Sequence, residues 1–260
     1  MAIDLYMQPE IMITFFYVFL RLSGFFFLFP IFTRPLCPAP VSIFLALLCA
    51  LLLLPNALEA AEVAVGETTG MAFILPAARE LLLGLAVGFC SMMVLVLGQV
   101  AGQFLDFQMG FFTATEIDPV MGTRVPLVGN YLYLFSLVLF LTFNGHHYLL
   151  KALGDSFTVV PVGSSFSRAA IPPILTFMSW MFKCAFQVSL PVLAALLVAS
   201  AALGILARSM PQLNLFVLGI PIRIIIGATM LMVMTTLYAS YFRDVTARQI
   251  GDITQLLRVW

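Results

Sequence analysis

Five long stretches without a single charged side chain constrain this chain more than any other feature. They are Pro35–Leu58, Leu81–Leu105, Val125–Leu150, Cys184–Ala207 and Ile224–Phe242, each 19 residues or longer. A helix of that length covers a hydrocarbon core of roughly 30 Å. A sixth stretch, Ile11–Thr33, is interrupted only by Arg21. The composition agrees, at 62% hydrophobic, 9% charged and mean hydropathy +1.10. The expected class is therefore all-α: membrane-associated helical hairpins built from about six long apolar helices.

The N-terminus does not read as a cleaved secretory signal. It has Asp4 and Glu10 but no basic residue before Arg21, and no small-residue cleavage pattern follows, so the first apolar segment is expected to be retained. Net charge is zero with no dense Lys/Arg cluster, which argues against a nucleic-acid partner. The four cysteines, Cys37, Cys49, Cys90 and Cys184, are scattered without a CxxC pair and read as small buried hydrophobes.

Turn chemistry divides the apolar runs. Pro35, Pro38 and Pro40 mark a hinge after the first helix. A second helix is expected from about Val41 to Pro55, then a polar linker Asn56–Gly70 with Glu59, Glu62 and Glu67. A third helix is expected from Met71 to about Phe104, and a fourth over Leu127–Leu150, closed or kinked at Asn144-Gly145. Lys151–Ile171 is the longest polar connection and the natural boundary between parts 1–160 and 161–260. Pro172–Ala207 and Leu213–Phe242 form a helical hairpin, with an amphiphilic tail Arg243–Trp260. Basic residues occur singly at Arg34, Arg79, Arg124, Lys151, Arg168 and Arg208, so the positive-inside rule gives no clean orientation; only the tail leans cytoplasmic.

Polar groups enter the third helix where they are costly. Gln99, Gln103 and Asp106 stand at i, i+4 and i+7 and share a face. Gly84-x-x-x-Gly88 and Gly98-x-x-x-Gly102 have the spacing that lets helix backbones approach closely. A close-packing groove beside a polar stripe suits a helix buried in an assembly. Gln108, Met109, Gly110, Phe111 and Phe112 follow, then an acidic Gly/Pro stretch containing Met121. Deformable apolar side chains on a loop can exclude water from a pore and still yield to a passing chain.

Catalytic constellations are missing. Ser23-Gly24 is preceded by Arg21 where a protease pattern wants glycine, and there is no Gly-x-Ser-x-Gly elbow. His146 and His147 are adjacent, whereas helical metal ligands pair at i, i+3 or i+4; no His-Glu-x-x-His occurs. Asp106 with Asp118 is a conceivable carboxylate pair, but Asp106 reads better as a cap or an assembly contact and Asp118-Pro119 as a turn. No cofactor motif, metal site or enzyme activity is expected.

Several landmarks in order resemble one family, the flagellar biosynthesis protein FliR and its type III secretion counterparts. They are Arg21-Leu22-Ser23-Gly24 with Pro30; Gly102-Gln103, Asp106 and Gln108-Met109-Gly110-Phe111 leading to Asp118-Pro119; and Leu139-Phe140-Leu141 with Asn144-Gly145-His146. The hairpin adds Leu203-Gly204, Arg208, Pro211-Gln212-Leu213-Asn214, Phe216, Gly219, Pro221 and Gly227. Two departures are the turn Pro38-Ala39-Pro40-Val41-Ser42, without the basic residue relatives carry, and Ala199-Ser200-Ala201, where relatives often place a more polar residue.

The resemblance implies an export-gate subunit in the bacterial inner membrane, at the flagellar basal body or secretion apparatus, partly raised to the periplasmic side. It implies packing with FliP and FliQ, contact with FlhB and FlhA, and unfolded export substrates as cargo. It also implies a FliP-like part fused to a FliQ-like hairpin, and a plug loop at about 108–126 with Met109, Phe111 and Phe112 occluding the channel. Gln99, Gln103 and Asp106 would anchor the plug, while Arg208, Pro211, Gln212 and Asn214 would contact a neighbouring subunit at the hairpin turn. The rival reading is a stand-alone small-solute or ion transporter, with Asp106 and the glutamines lining a midplane site.

Overall fold

A computed structural model describes residues 9–29, 38–60, 71–111, 126–164, 168–210 and 215–260. Among these residues seven α-helices carry the chain, with one short 3-10 turn at Arg168–Ala170 and no strand. They are α1 (Pro9–Leu28), α2 (Ala39–Ala60), α3 (Met71–Met109), α4 (Leu127–Thr142), α5 (Gly145–Val159), α6 (Ile171–Ser209) and α7 (Leu215–Val259). Helices α1, α2, α3, α6 and α7 are long and apolar enough to cross a membrane, and α4 with α5 brings the number to 6 if the pair counts as one span. The expected class, all-α with about six long apolar helices, holds.

Helix boundaries differ from the sequence expectation in four places. Helix α2 continues through Pro55 to Ala60. A proline removes one hydrogen bond and crowds the preceding turn, but Leu54 and Ala57 on either side are buried and hold the helix together. Helix α3 continues past Phe104 to Met109, because Leu105 and Met109 are buried at i, i+4 spacing on one face. The helix expected over Leu127–Leu150 is two helices, α4 and α5. Asn144 adopts a left-handed backbone (φ 56°) that a helix cannot propagate and that asparagine tolerates. The first nine residues of the expected connection, Lys151–Val159, are therefore helical, with Ala152, Leu153, Ser156 and Phe157 turned inward.

The fourth difference is the tail. Arg243–Val259 is the continuation of α7, not a separate element. Val245, Thr246, Gln249, Ile253, Leu256 and Leu257 recur at helical spacing and are all buried. The three-proline hinge lies partly, and the linker 61–70 wholly, outside the described residues.

The chain groups into two compact units. The first comprises Met1–Met93, Asn144–Met178 and Ala247–Trp260; the second comprises Val94–Phe143 and Ser179–Thr246. In the first, α1 packs on α2, and α2 on α5. Helices α1 and α3 meet backbone to backbone. A Cβ on Gly24 would lie 2.7 Å from the Leu81 carbonyl oxygen, one on Gly88 2.8 Å from that of Phe25, and one on Gly84 would overlap the carbonyl of Arg21. Tyr17 adds a 3.3 Å hydrogen bond to the Phe73 carbonyl, and Gln249 donates its side-chain amide to the Cys90 carbonyl at 2.9 Å.

In the second unit Gly98 and Gly102 do for α3 and α4 what Gly84 and Gly88 do for α1 and α3. A Cβ on Gly98 would meet the Leu132 carbonyl at 2.7 Å and the Tyr238 hydroxyl at 2.8 Å; one on Gly102 would collide with the backbone of Gly129. Ser136 and Tyr238 share a buried 2.5 Å hydrogen bond beside that contact.

Candidate functional site

The close approach of α3 to α4 delivers a carboxylate to a helix end. Helix α4 begins after Pro126, whose side chain cannot cap the unsatisfied N–H groups of the first turn. Asp106 of α3 supplies the missing acceptor: Oδ1 accepts from the Val128 N–H and Oδ2 from the Gly129 N–H, each at 2.9 Å. Its negative charge also faces the positive end of the α4 dipole. Asp106 is fully buried, so this clamp satisfies a charge that would otherwise be expensive to bury. It ties together the two ends of the chain segment running from α3 to α4.

The other residues expected at the plug separate into several environments. Gln99 is half-buried and Gln103 exposed, so of the polar stripe only Asp106 is enclosed. Gln108 and Met109 stand in the last turn of α3 rather than in a loop. Met109 is buried, with its side chain filling the space a Cβ on Gly227 of α7 would need. Gly110 takes φ 88°, a left-handed conformation that ends the helix, and its N–H donates to the Phe107 carbonyl at 3.3 Å. Phe111 is half-buried. Phe112 and Met121 lie outside the described residues, as do Pro211, Gln212 and Asn214 of the hairpin turn. Arg208 is exposed in the last turn of α6, where a cation complements the helix dipole.

A second polar centre was not legible in the sequence. Arg21, there an interruption of the first apolar run and part of a family landmark, is completely buried. Its Nε donates to Glu80 Oε2 at 2.6 Å, one terminal nitrogen donates to the Ser156 carbonyl and hydroxyl at 3.1 and 3.2 Å, and the other donates to the Val160 carbonyl at 3.0 Å. The guanidinium also sits 4.4 Å from the Phe157 ring centroid. The second Glu80 oxygen accepts from the Gly163 N–H at 3.1 Å. Arg21 thus binds the carbonyls of Ser156 and Val160 at the end of α5 while Glu80 neutralises it. The available signal was a lone cation in one apolar run and a lone anion, Glu80, in another; intramembrane charges of opposite sign seek each other.

The rings of His146 and His147 pack with centroids 4.2 Å apart, and among the described residues no group of three His, Cys, Asp or Glu side chains could hold a metal ion. Cys49, Cys90 and Cys184 are free thiols, the last two buried; Cys37 lies outside the described residues.

Residues 12–248, nearly the whole chain, match the family described as bacterial export proteins, family 1. The chain belongs to the FliR family of bacterial export proteins. It is 36% identical over 249 residues to a flagellar biosynthetic protein FliR of Bacillus subtilis, covering 92% of this chain and 93% of that one. A flagellar biosynthetic protein FliR of Escherichia coli is 32% identical over 166 residues, 64% of either chain. The surface presentation of antigens protein SpaR of Shigella flexneri is 27% identical over 224 residues, 86% of each. Family membership gives the long apolar helices a setting in bacterial export.

Proposed function

We propose that this chain is a membrane subunit of a flagellar or type III protein-export gate in the bacterial inner membrane, at the basal body or secretion apparatus. It forms the channel with FliP and FliQ, contacts FlhB and FlhA, and seals the channel against ions until an unfolded substrate enters. Residues 1–160 act as the FliP-like part and 161–260 as the FliQ-like hairpin. Arg208, Pro211, Gln212 and Asn214 contact a neighbouring subunit at the hairpin turn.

The observation that carries this reading is the Asp106 clamp. A buried carboxylate that fastens the end of α3 to the start of α4 gives the seal a fixed base. Met109, packed against Gly227, belongs with Gln108 and Asp106 to the base; Phe111, Phe112 and Met121 are assigned to the seal, with the Gly110 turn between them. Asp106 is buried and each of its oxygens accepts from a backbone donor, which supports an anchoring role for it over an ion-binding one in a stand-alone transporter. The test is a cation-leak assay on vesicles from cells co-expressing this chain with FliP and FliQ. Deleting residues 112–125 is expected to raise cation permeability of the assembled complex; permeability equal to that of the intact complex overturns the seal.

A further inference from the structure

On α7 the 19 residues Ile224–Phe242 carry no charge and lie between Arg223 and Arg243; on α6 the charge-free run begins directly after Lys183. No Asp or Glu occurs between Asp155 and Asp244, so these runs have cations at their edges and no anion within. Leu203 lies beside the site of Gly219, and the Tyr241 hydroxyl donates to Gln187 at 3.2 Å, so the two helices run antiparallel. The second contact sets Lys183, one turn before Gln187, near the level of Tyr241 and Arg243. Arg223 stands at the opposite end of the shared apolar length. At the rise of an α-helix that length is roughly 30 Å, the thickness of a hydrocarbon core.

The side chains along this length suit lipid. Leu190 and Met232, midway, are 49% and 78% exposed. Thr229, Thr235, Thr236 and Ser240 each donate to a carbonyl of their own helix at 2.8–2.9 Å, which satisfies their hydroxyls without water. Cα–Cβ bonds of a helix tilt toward its N-terminus. Lys183 and Arg223 each stand at the N-terminal edge of the apolar length on their own helix, so they incline away from it, in opposite directions along the hairpin. Lys183 is exposed, and Arg223 is half-buried with its Nε covered by the chain. A stem laid along apolar surface with its charged end at the edge is how long cations reach an interface. Trp180 and Tyr241 add amphipathic rings at the Lys183 end. From Arg243 onward the uncovered face of α7 turns polar, with Asp244, Arg248, Gln255 and Arg258 exposed.

We infer that the exposed face of α6–α7 between Lys183 and Arg223 is covered by the acyl chains of one bilayer, and that Lys183 and Arg223 bind phospholipid phosphates at its two surfaces. The inference rests on the reading of the chain as a membrane subunit and not on the seal. A neighbouring subunit or a water-filled channel would cover the same face without imposing a bilayer's thickness on the spacing of the cations. Helices α6 and α7, at 39 and 45 residues, then extend past the hydrocarbon at both ends. The end of α6 with Arg208 lies outside it, where the proposed neighbour contact forms.

The experiment uses the full chain co-expressed with FliP and FliQ, purified through a tag on this chain and reconstituted into vesicles of phosphatidylethanolamine and phosphatidylglycerol. With the four native cysteines replaced by alanine, a spin label is placed singly at Ser179, Leu190, Arg208, Met232 and Ala247. Its accessibility to oxygen is compared with that to a water-soluble nickel chelate. The oxygen-to-nickel ratio is expected to be severalfold higher at Leu190 and Met232 than at the other three positions. Arg223→Leu is expected to move the lipid-covered zone toward the hairpin turn, raising the ratio at Arg208. Lys183→Leu is expected to move it toward the start of α6, raising the ratio at Ser179, while Arg223→Lys and Lys183→Arg leave it in place. A merely structural role for the two cations gives no such opposed shifts. Nickel access at Leu190 and Met232 (a face in water), access of neither reagent (a face under a subunit), or a profile unmoved by both leucine variants each overturns the inference. If a leucine variant does not reach the membrane, the profile of the unsubstituted chain decides. Failure of the chain to bring down FliP or FliQ overturns the proposed function instead, and the profile is then read on the chain alone.

Discussion

The α1–α3 contact and the α6–α7 hairpin are built from the same apolar residues and bury them to opposite degrees. In their most apolar stretches, 44% of α1 and 56% of α3 residues are buried within the chain, against 11% of α6 and 17% of α7. The first pair places glycines at the contact so that backbones touch, and neutralises its only buried cation with Glu80. The hairpin leaves Gly204 facing open space and Ala201 and Ala202 exposed, and the buried Nε of Arg223 has no hydrogen-bond partner among the described residues. One region covers its surface within the chain; the other leaves most of its apolar surface uncovered. In lipid, where apolar surface alone gives little drive for helix association, close packing and polar pairing decide which helices meet.

The largest effect that could break this contrast is at the ion pair. Arg21→Leu or Glu80→Leu alone leaves a buried charge unpaired and is expected to destabilise the chain by about 3–5 kcal/mol. The double replacement should recover most of that loss. Thermal unfolding of the detergent-solubilised protein reads both; a double variant as unstable as the singles would mean that the capping of α5 matters more than charge neutrality.

Next in size is a pair of matched substitutions. Gly84→Ala pushes a methyl into the Arg21 carbonyl and is expected to cost about 1–3 kcal/mol. Gly204→Ala meets open space and should stabilise the isolated chain by up to about 1 kcal/mol through helix propensity. Equal melting shifts at the two glycines would erase the distinction between the regions.

The smallest expected effect concerns the clamp. Asp106→Asn keeps one acceptor but turns an amide donor toward a backbone N–H, for a loss of roughly 1–2 kcal/mol. Hydrogen exchange at Val128 and Gly129 should accelerate while the amides of α1 keep their protection. Unchanged protection at those two positions would show that the α4 start is held by the Gly102–Gly129 contact instead.

Much of the helical architecture could be read directly from the chain. Charge-free runs marked the long helices, and Asn144-Gly145 marked the break that separates α4 from α5. The misplaced ends share one cause. Pro55, the polar run after Phe104, Lys151–Val159 and the tail after Phe242 all look locally like helix stops. Each is overridden by inward-facing side chains on the same helix, such as Met109, Phe157 and Ile253. Asp106 was visible as a costly polar group, but its partners are backbone N–H groups of α4, which carry no sequence signature.

By itself, then, the sequence determined the class of helix, the glycine spacings that permit backbone contact, the family, and the absence of any anion from Ser156 to Arg243. Those are properties of composition and local period, available before any helix meets another. Which glycine faces which carbonyl, that Arg21 pairs with Glu80 59 residues away, and that the buried Nε of Arg223 has no hydrogen-bond partner among the described residues are decided only by tertiary packing. Burial makes an unpaired charge expensive, and burial exists only once the helices have chosen their neighbours.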